Sequence, residues 1–137
     1  MVLTSSAPCA NPLTATSNTI TMTVNATVTP SVSITANPGN TICSGTSVTF
    51  TAIPTNGGAT PSYQWKKNGL DVGTNSNTYT DAGLANGDQI SVVLTSSAPC
   101  ANPLTATSNT ITMTVNATVT PSVLITDDPT RYAPAQA

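Results

Sequence analysis

The chain has 137 residues, no histidine, three Lys or Arg and five acidic residues, all Asp, for a net charge of −2. Only 6% of its residues are charged, against roughly 25% in an average globular protein, and 38% are hydrophobic. No basic patch exists to meet phosphates, which argues against nucleic acid, and no apolar run approaches the ~18 residues of a membrane span. The length fits one domain, and Thr, Ser and Asn supply the polar surface that charges supply elsewhere.

Residues Val2 to Val32 return unchanged as Val93 to Val123, and the match continues to Thr35 and Thr126 with one difference, Ser33 against Leu124. A period of 91 residues is too long for a solenoid repeat and is about one small β-sandwich. The chain therefore reads as a piece of a tandem array, with Met1 standing inside a repeat. Residues 1–30 are the terminal strand pair of a preceding unit, 31–121 a complete unit, and 122–137 the start of another unit followed by an irregular tail.

In chain order, the apolar residues alternate with Thr, Ser and Asn, the period of half-buried strands. In the opening segment Leu3, Ile20, Met22 and Val24 alternate in the same way, but the strands that should cover them are missing. A lone strand pair is only marginally stable in water, so these residues form a segment expected to seek a complement, by replacing 93–120 on its own chain's body, by exchange into another chain or by addition to a sheet edge. "SVSITA" (31–36) aligns Val32 with Ile34, and "SVTFTA" (47–52) aligns Val48, Phe50 and Ala52. "SYQWKK" (62–67) places Tyr63 and Trp65 inward, and Asn68-Gly69 reads as a tight hairpin turn. "NTYT" (77–80) contributes Tyr79, and Leu84 follows in the loop. "QISVVLT" (89–95) contributes Ile90, Val92 and Leu94. "NTITMTV" (109–115) contributes Ile111, Met113 and Val115. Clusters of Gly, Asn and Pro separate these runs, and helical periodicity is absent. Short strands at this spacing predict an all-β, two-sheet antiparallel sandwich.

The succession Phe50, Trp65, Tyr79, "LANGD" (84–88) and the alternating strand after it resembles the immunoglobulin pattern. More narrowly, "ICSGTSVTFTA", "PSYQWKKNG" and "SNTYTDAGLANGDQISVVLTS" resemble the Ig-like or PKD-like tandem repeats of large secreted surface adhesins of Bacteroidetes-type bacteria. The resemblance spans nearly the whole 91-residue unit. It implies an immunoglobulin-like fold, an extracellular or cell-surface setting, and partners that are neighbouring copies of the repeat or a surface glycan or protein. Phe50 and Val92 stand where antibody domains carry their inter-sheet cysteines.

Cys9 and Cys100 are equivalent under the repeat, so each unit owns two cysteines. Cys43 is expected to pair with Cys100 in a disulfide, and closing that loop is worth about 4 kcal/mol in the chain-entropy model. Such a bond belongs to an oxidising compartment. Cys9 is then unpaired, or joins two chains. Metal binding is disfavoured without His or a closely spaced Cys pair.

Catalysis finds little support. Acid–base work wants His or a carboxylate with a shifted pKa, which leaves Asp71, Asp81 and Asp88, and Asp88 occupies the place where Ig-like domains tie down a turn. No nucleophile elbow, phosphate loop or metalloprotease motif occurs. Asp127-Asp128 lack the oxygen ladder of a calcium site. Tyr132 beside Arg131 is a thin sugar platform. Asn25 and Asn116 begin matches to the glycosylation sequon. The expectation is a non-catalytic stalk or spacer repeat without cofactor. Two alternatives stand beside it: a filament subunit that exchanges strands through residues 2–30, and a glycan- or protein-binding module using loops such as "PTNGGATP" (54–61).

Overall fold

The computed structural model describes residues 1–127. Among them there are twelve strands and no helix. The first two, β1 (Val2–Thr4) and β2 (Thr14–Thr16), form a hairpin of their own. Residues 31–121 hold β3 (Ser31–Asn37), β4 (Thr41–Cys43), β5 (Val48–Thr55), β6 (Ser62–Lys67), β7 (Leu70–Val72), β8 (Thr78–Asp81), β9 (Gln89–Thr95), β10 (Thr105–Thr107), β11 (Ile111–Thr112) and β12 (Thr114–Asn116), called the unit below.

Two antiparallel sheets make the body. One runs β3-β5-β8. The other runs β10-β9-β6-β7, with β11 also on β9. Alternation along β5 and β9 sends one side chain in two to the interior, and there Val48, Phe50, Ile90, Val92 and Leu94 are wholly buried. Phe50 of one sheet meets Trp65 of the other with ring centroids 6.5 Å apart. Tyr79 completes the aromatic cluster, 6.0 Å from Phe50 and 5.8 Å from Trp65. Burying the indole obliges its N–H to find a partner, and Trp65 Nε1 donates to the Ser76 carbonyl at 2.9 Å. Leu84 and Met113 are also buried, while Tyr63, Tyr79, Ile111 and Val115 pack half-buried against the same core.

Turn chemistry fixes the register where the strands are short. Asn68 and Gly69 both adopt positive φ, 53° and 81°, the pair required by a two-residue turn that matches strand twist. They join β6 to β7, with Lys67 opposite Leu70. The last segment does not stay in one sheet. β11 pairs with β9, the chain steps across at Met113, whose N–H donates to the Asp88 carbonyl at 2.8 Å, and β12 then pairs in parallel with β4. Asn109 fastens this segment to the other sheet by accepting from the Ile34 N–H at 2.8 Å.

These connections define two poles. β5 starts at Val48 beside Asp81 and ends at Thr55 beside Ser31. The unit is therefore entered at the Thr55 end. It is left at Asn116, which lies opposite Cys43 just ahead of the Val48 end. An eight-residue strand at about 3.3 Å per residue separates the poles by roughly 25 Å.

Candidate functional site

The cysteines require a correction. Cys9, Cys43 and Cys100 are all free and exposed. Cys43 sits at the exit pole, in register with Asn116. Cys100 sits at the entry pole, in a loop whose Ser97 donates to Gly57 just past the end of β5. A disulfide needs Cα atoms about 4.4–6.8 Å apart, and the length of β5 stands between these two. The expected Cys43–Cys100 bond does not form within the unit. Closed-loop entropy says nothing about direction, whereas the course of β5 does.

Lys67, Tyr79, Asp81 and Asp88 gather at the exit pole. Lys67 Nζ lies 2.9 Å from Asp81 Oδ2 and 3.1 Å from Asp88 Oδ2. Asp81 also accepts from the Tyr79 hydroxyl at 2.9 Å and the Gly83 N–H at 2.7 Å. Asp88 accepts from the Ala85 N–H at 2.9 Å and Asn68 Nδ2 at 2.8 Å. The Ala85 amide, with Asn68 and Lys67, holds the Asp88 carboxyl below the ordinary range. Burial pushes Asp81 up, but Lys67, the Gly83 amide and Tyr79 outweigh it and the group also titrates low. The bond to Asp81 raises the Lys67 ammonium above its usual value. Burial, then the Asp81 carboxylate, raises the Tyr79 hydroxyl. Within this cluster each charged group meets a fixed neighbour, and Asp81 and Asp88 are held ionised. This arrangement ties the β8–β9 connection to the β6–β7 turn. A carboxylate pushed below its normal range is a poor proton acceptor at neutral pH. Asp71 pairs with Lys66 at the surface.

The loop 54–61 is less free than its composition suggests. Gly57 is buried. Gly58 has φ +80°, and a Cβ there would lie 2.3 Å from the Ala98 backbone nitrogen. Buried Ser96 donates to the Asn56 carbonyl at 2.7 Å, binding this loop to the one that carries Cys100. Four of the aromatic side chains, Phe50, Tyr63, Trp65 and Tyr79, are committed to the core or its margin. Asp128, Arg131 and Tyr132 lie outside the described residues, and Asp127 is exposed. Among the described residues no group of three or more His, Cys, Asp or Glu is placed to hold a metal ion, and no helix is long and apolar enough to cross a membrane. Asn25 and Asn116 are both exposed.

The most informative surface is the opening segment, because the chain displays the same sequence twice. Leu3 is 61% exposed and its counterpart Leu94 fully buried; Met22 is 79% exposed and Met113 1%. Ile20 and Val24 are likewise open, at 75% and 92%, whereas Ile111 and Val115 pack on the core. The β1–β2 hairpin keeps the register of β9–β10: Val2 opposite Thr16 corresponds to Val93 opposite Thr107. Residues 17–27, by contrast, form no strand, while β9 and β4 are paired with β11 and β12. An open apolar hollow of about 310 Å³ lies on this hairpin, lined by Met1, Leu3, Ala15, Thr16 and Ser17.

Sequence reasoning did not find the docking of residues 28–30 on the entry pole. Val28 donates to the Cys100 carbonyl at 3.1 Å and accepts from the Asn102 N–H at 2.9 Å, in parallel register with Ala101. Asn56 Nδ2 donates to the Thr29 carbonyl at 2.9 Å, and Pro30 is buried. Pro30, whose ring fixes the backbone just ahead of β3, was the available signal.

No protein-family model matches the chain, and no curated protein matches it.

Proposed function

We propose that the protein is a non-catalytic structural repeat, a stalk or spacer unit of an extracellular bacterial adhesin or surface filament, with an immunoglobulin-like sandwich as its body. The observation that carries this reading is the placement of entry and exit at opposite poles, Ser31 beside Thr55 and Asn116 beside Cys43. Units joined through such ends extend in series and do not fold back on one another. Supporting the fold assignment are the β3-β5-β8 sheet facing the sheet built on β9 and β6, and the final segment that leaves β9 to run parallel to β4. The fixed ion pairs and backbone hydrogen bonds that engage Asp81 and Asp88 favour scaffold over chemistry. The sparse charge gives little long-range steering of a soluble ligand.

The test is small-angle X-ray scattering on chains carrying one, two and three extra copies of residues 31–121. A stalk requires the maximum dimension to grow by a constant increment of at least the ~25 Å pole separation per copy. Compaction, with a dimension that levels off, overturns the reading.

One observation favours a second reading, assembly by strand exchange through residues 2–30: Leu3, Ile20, Met22 and Val24 are open while identical residues elsewhere in the chain are covered. Here the partner is another copy of the chain, whose body accepts residues 2–27 in place of 93–118. Deleting residues 1–27 then abolishes any filaments seen by negative-stain microscopy. Filaments that survive the deletion exclude this route.

A further inference from the structure

The two halves of a junction between units are both present, one at each pole. At the exit, Ser44 N–H donates to the Asn116 carbonyl at 2.8 Å and Cys43 stands in parallel register with Asn116. At the entry, Val28 is clamped between the Cys100 carbonyl and the Asn102 N–H. Asn116 is the repeat counterpart of Asn25, and Val119 that of Val28. The docked linker copy has Val28 half-buried and Pro30 buried. In the outgoing copy Val119 is 87% exposed and Pro121 is also open. In a tandem series the surface that would cover the outgoing residues is an entry pole like this one, made of the 96–102 loop and Asn56.

We infer that, in a tandem series, Cys43 of one unit and the Cys100 counterpart of the next meet across the linker and form a disulfide that staples the junction. This rests on the serial-stalk reading. Cys43 is level with position 116 of the linker. Cys100, one residue before Ala101, is level with the residue before Val28, the counterpart of Thr118. Two residues of extended chain span about 7 Å, close to the separation a disulfide bridges. In a regular strand, positions 116 and 119 would offer their backbone groups to opposite edges. Ala117 and Thr118, held in no ladder, supply the change of edge that the bond requires. Both thiols are exposed, so an external oxidant reaches them. With a low-molecular-weight disulfide such as oxidised glutathione, two thiols lose two protons and two electrons to form the S–S bond, and the oxidant is reduced to two thiols. The same geometry gives Cys9 a role: as the counterpart of Cys100, it belongs to the junction before its own unit and lacks a partner within this chain.

The test uses the full chain with Cys9→Ser and a second copy of residues 31–121 inserted between Pro121 and Ser122. This protein has four thiols, two in each unit. After oxidation by glutathione disulfide at low protein concentration, peptide mapping should find one disulfide between protein cysteines, joining Cys43 to the inserted unit's counterpart of Cys100, with the other two cysteines free or capped by glutathione. Adding Cys43→Ser should leave no disulfide between protein cysteines. No such disulfide in the parent protein, or pairing inside each unit, overturns the inference. Scattering on the reduced protein reports the serial arrangement independently, so a rod without the bond sinks the staple and leaves the stalk standing.

Discussion

Lys67 shows how a chain with so few charges uses them. Its ammonium stands between Asp81 and Asp88, and each carboxylate also takes a backbone N–H. Lys67→Met would leave two mostly buried carboxylates facing each other and should cost about 2 kcal/mol, measured by urea denaturation at pH 7. The pH dependence follows from the directions of the shifts. Asp81 and Asp88 titrate low when folded, so their contribution is complete above the unfolded carboxylate value of about 4 and is lost as pH falls through their folded values. Lys67 and Tyr79 are raised, so theirs is complete below about pH 10 and is lost as pH rises through the folded values. With no histidine to titrate between, stability should be flat from about pH 5 to 9. A step near neutrality in a urea–pH series would contradict this. Gly58 is the other sensitive residue. Its φ of +80° and the Ala98 nitrogen where a Cβ would go mean that Gly58→Ala should cost about 2–4 kcal/mol, against a few tenths at exposed Gly83, where a Cβ would make only an ordinary contact with Asp81 Oδ1 at 3.4 Å.

At the scale of elements, the repeat supplies its own control. Met113→Ala opens a cavity beneath β11 and β12 and should destabilise the fold by about 2–4 kcal/mol, whereas Met22→Ala, in the same local sequence, should change it by less than about 0.5 kcal/mol. Equal effects in thermal denaturation would mean that residues 17–27 occupy the body in place of 108–118. The pair also explains what was legible in the letters. The long alternating runs at 31–36, 47–52, 62–67 and 89–95 name their own inward faces, and β3, β5, β6 and β9 lie there. Three-residue β4, β7 and β10 carry too few positions for a period to register, and their pairing is set by distant partners. The 109–115 run reads as one strand but is two, because Met113 crosses from β9 towards β4. Burial of Phe50, Trp65, Leu94 and Met113 could be read from alternation. The ion-paired lysine could not, since Lys67 meets Asp81 and Asp88 only once three connections have been folded. The cysteine pairing failed for a related reason: the repeat counts thiols per unit without saying at which pole each one lies.

For the whole molecule, the decisive feature is the direction of the chain through the unit. Removing residues 1–27 should leave the melting temperature of the body within about 2 °C, because its core draws nothing from them, whereas removing 1–30 strips Val28 and Pro30 from the entry pole and should lower it further. The parallel ladder of β4 and β12 has a consequence of another kind. A pull applied at Ser31 and Asn116 draws β4 towards one pole and β12 towards the other, along their common axis. The ladder bonds are then sheared together and cannot be peeled one at a time, so the unit resists tension until they yield as a set. Thr114→Pro, which deletes the N–H donated to Asn40 at 2.7 Å, should lower the rupture force in single-molecule stretching more than it lowers the melting temperature.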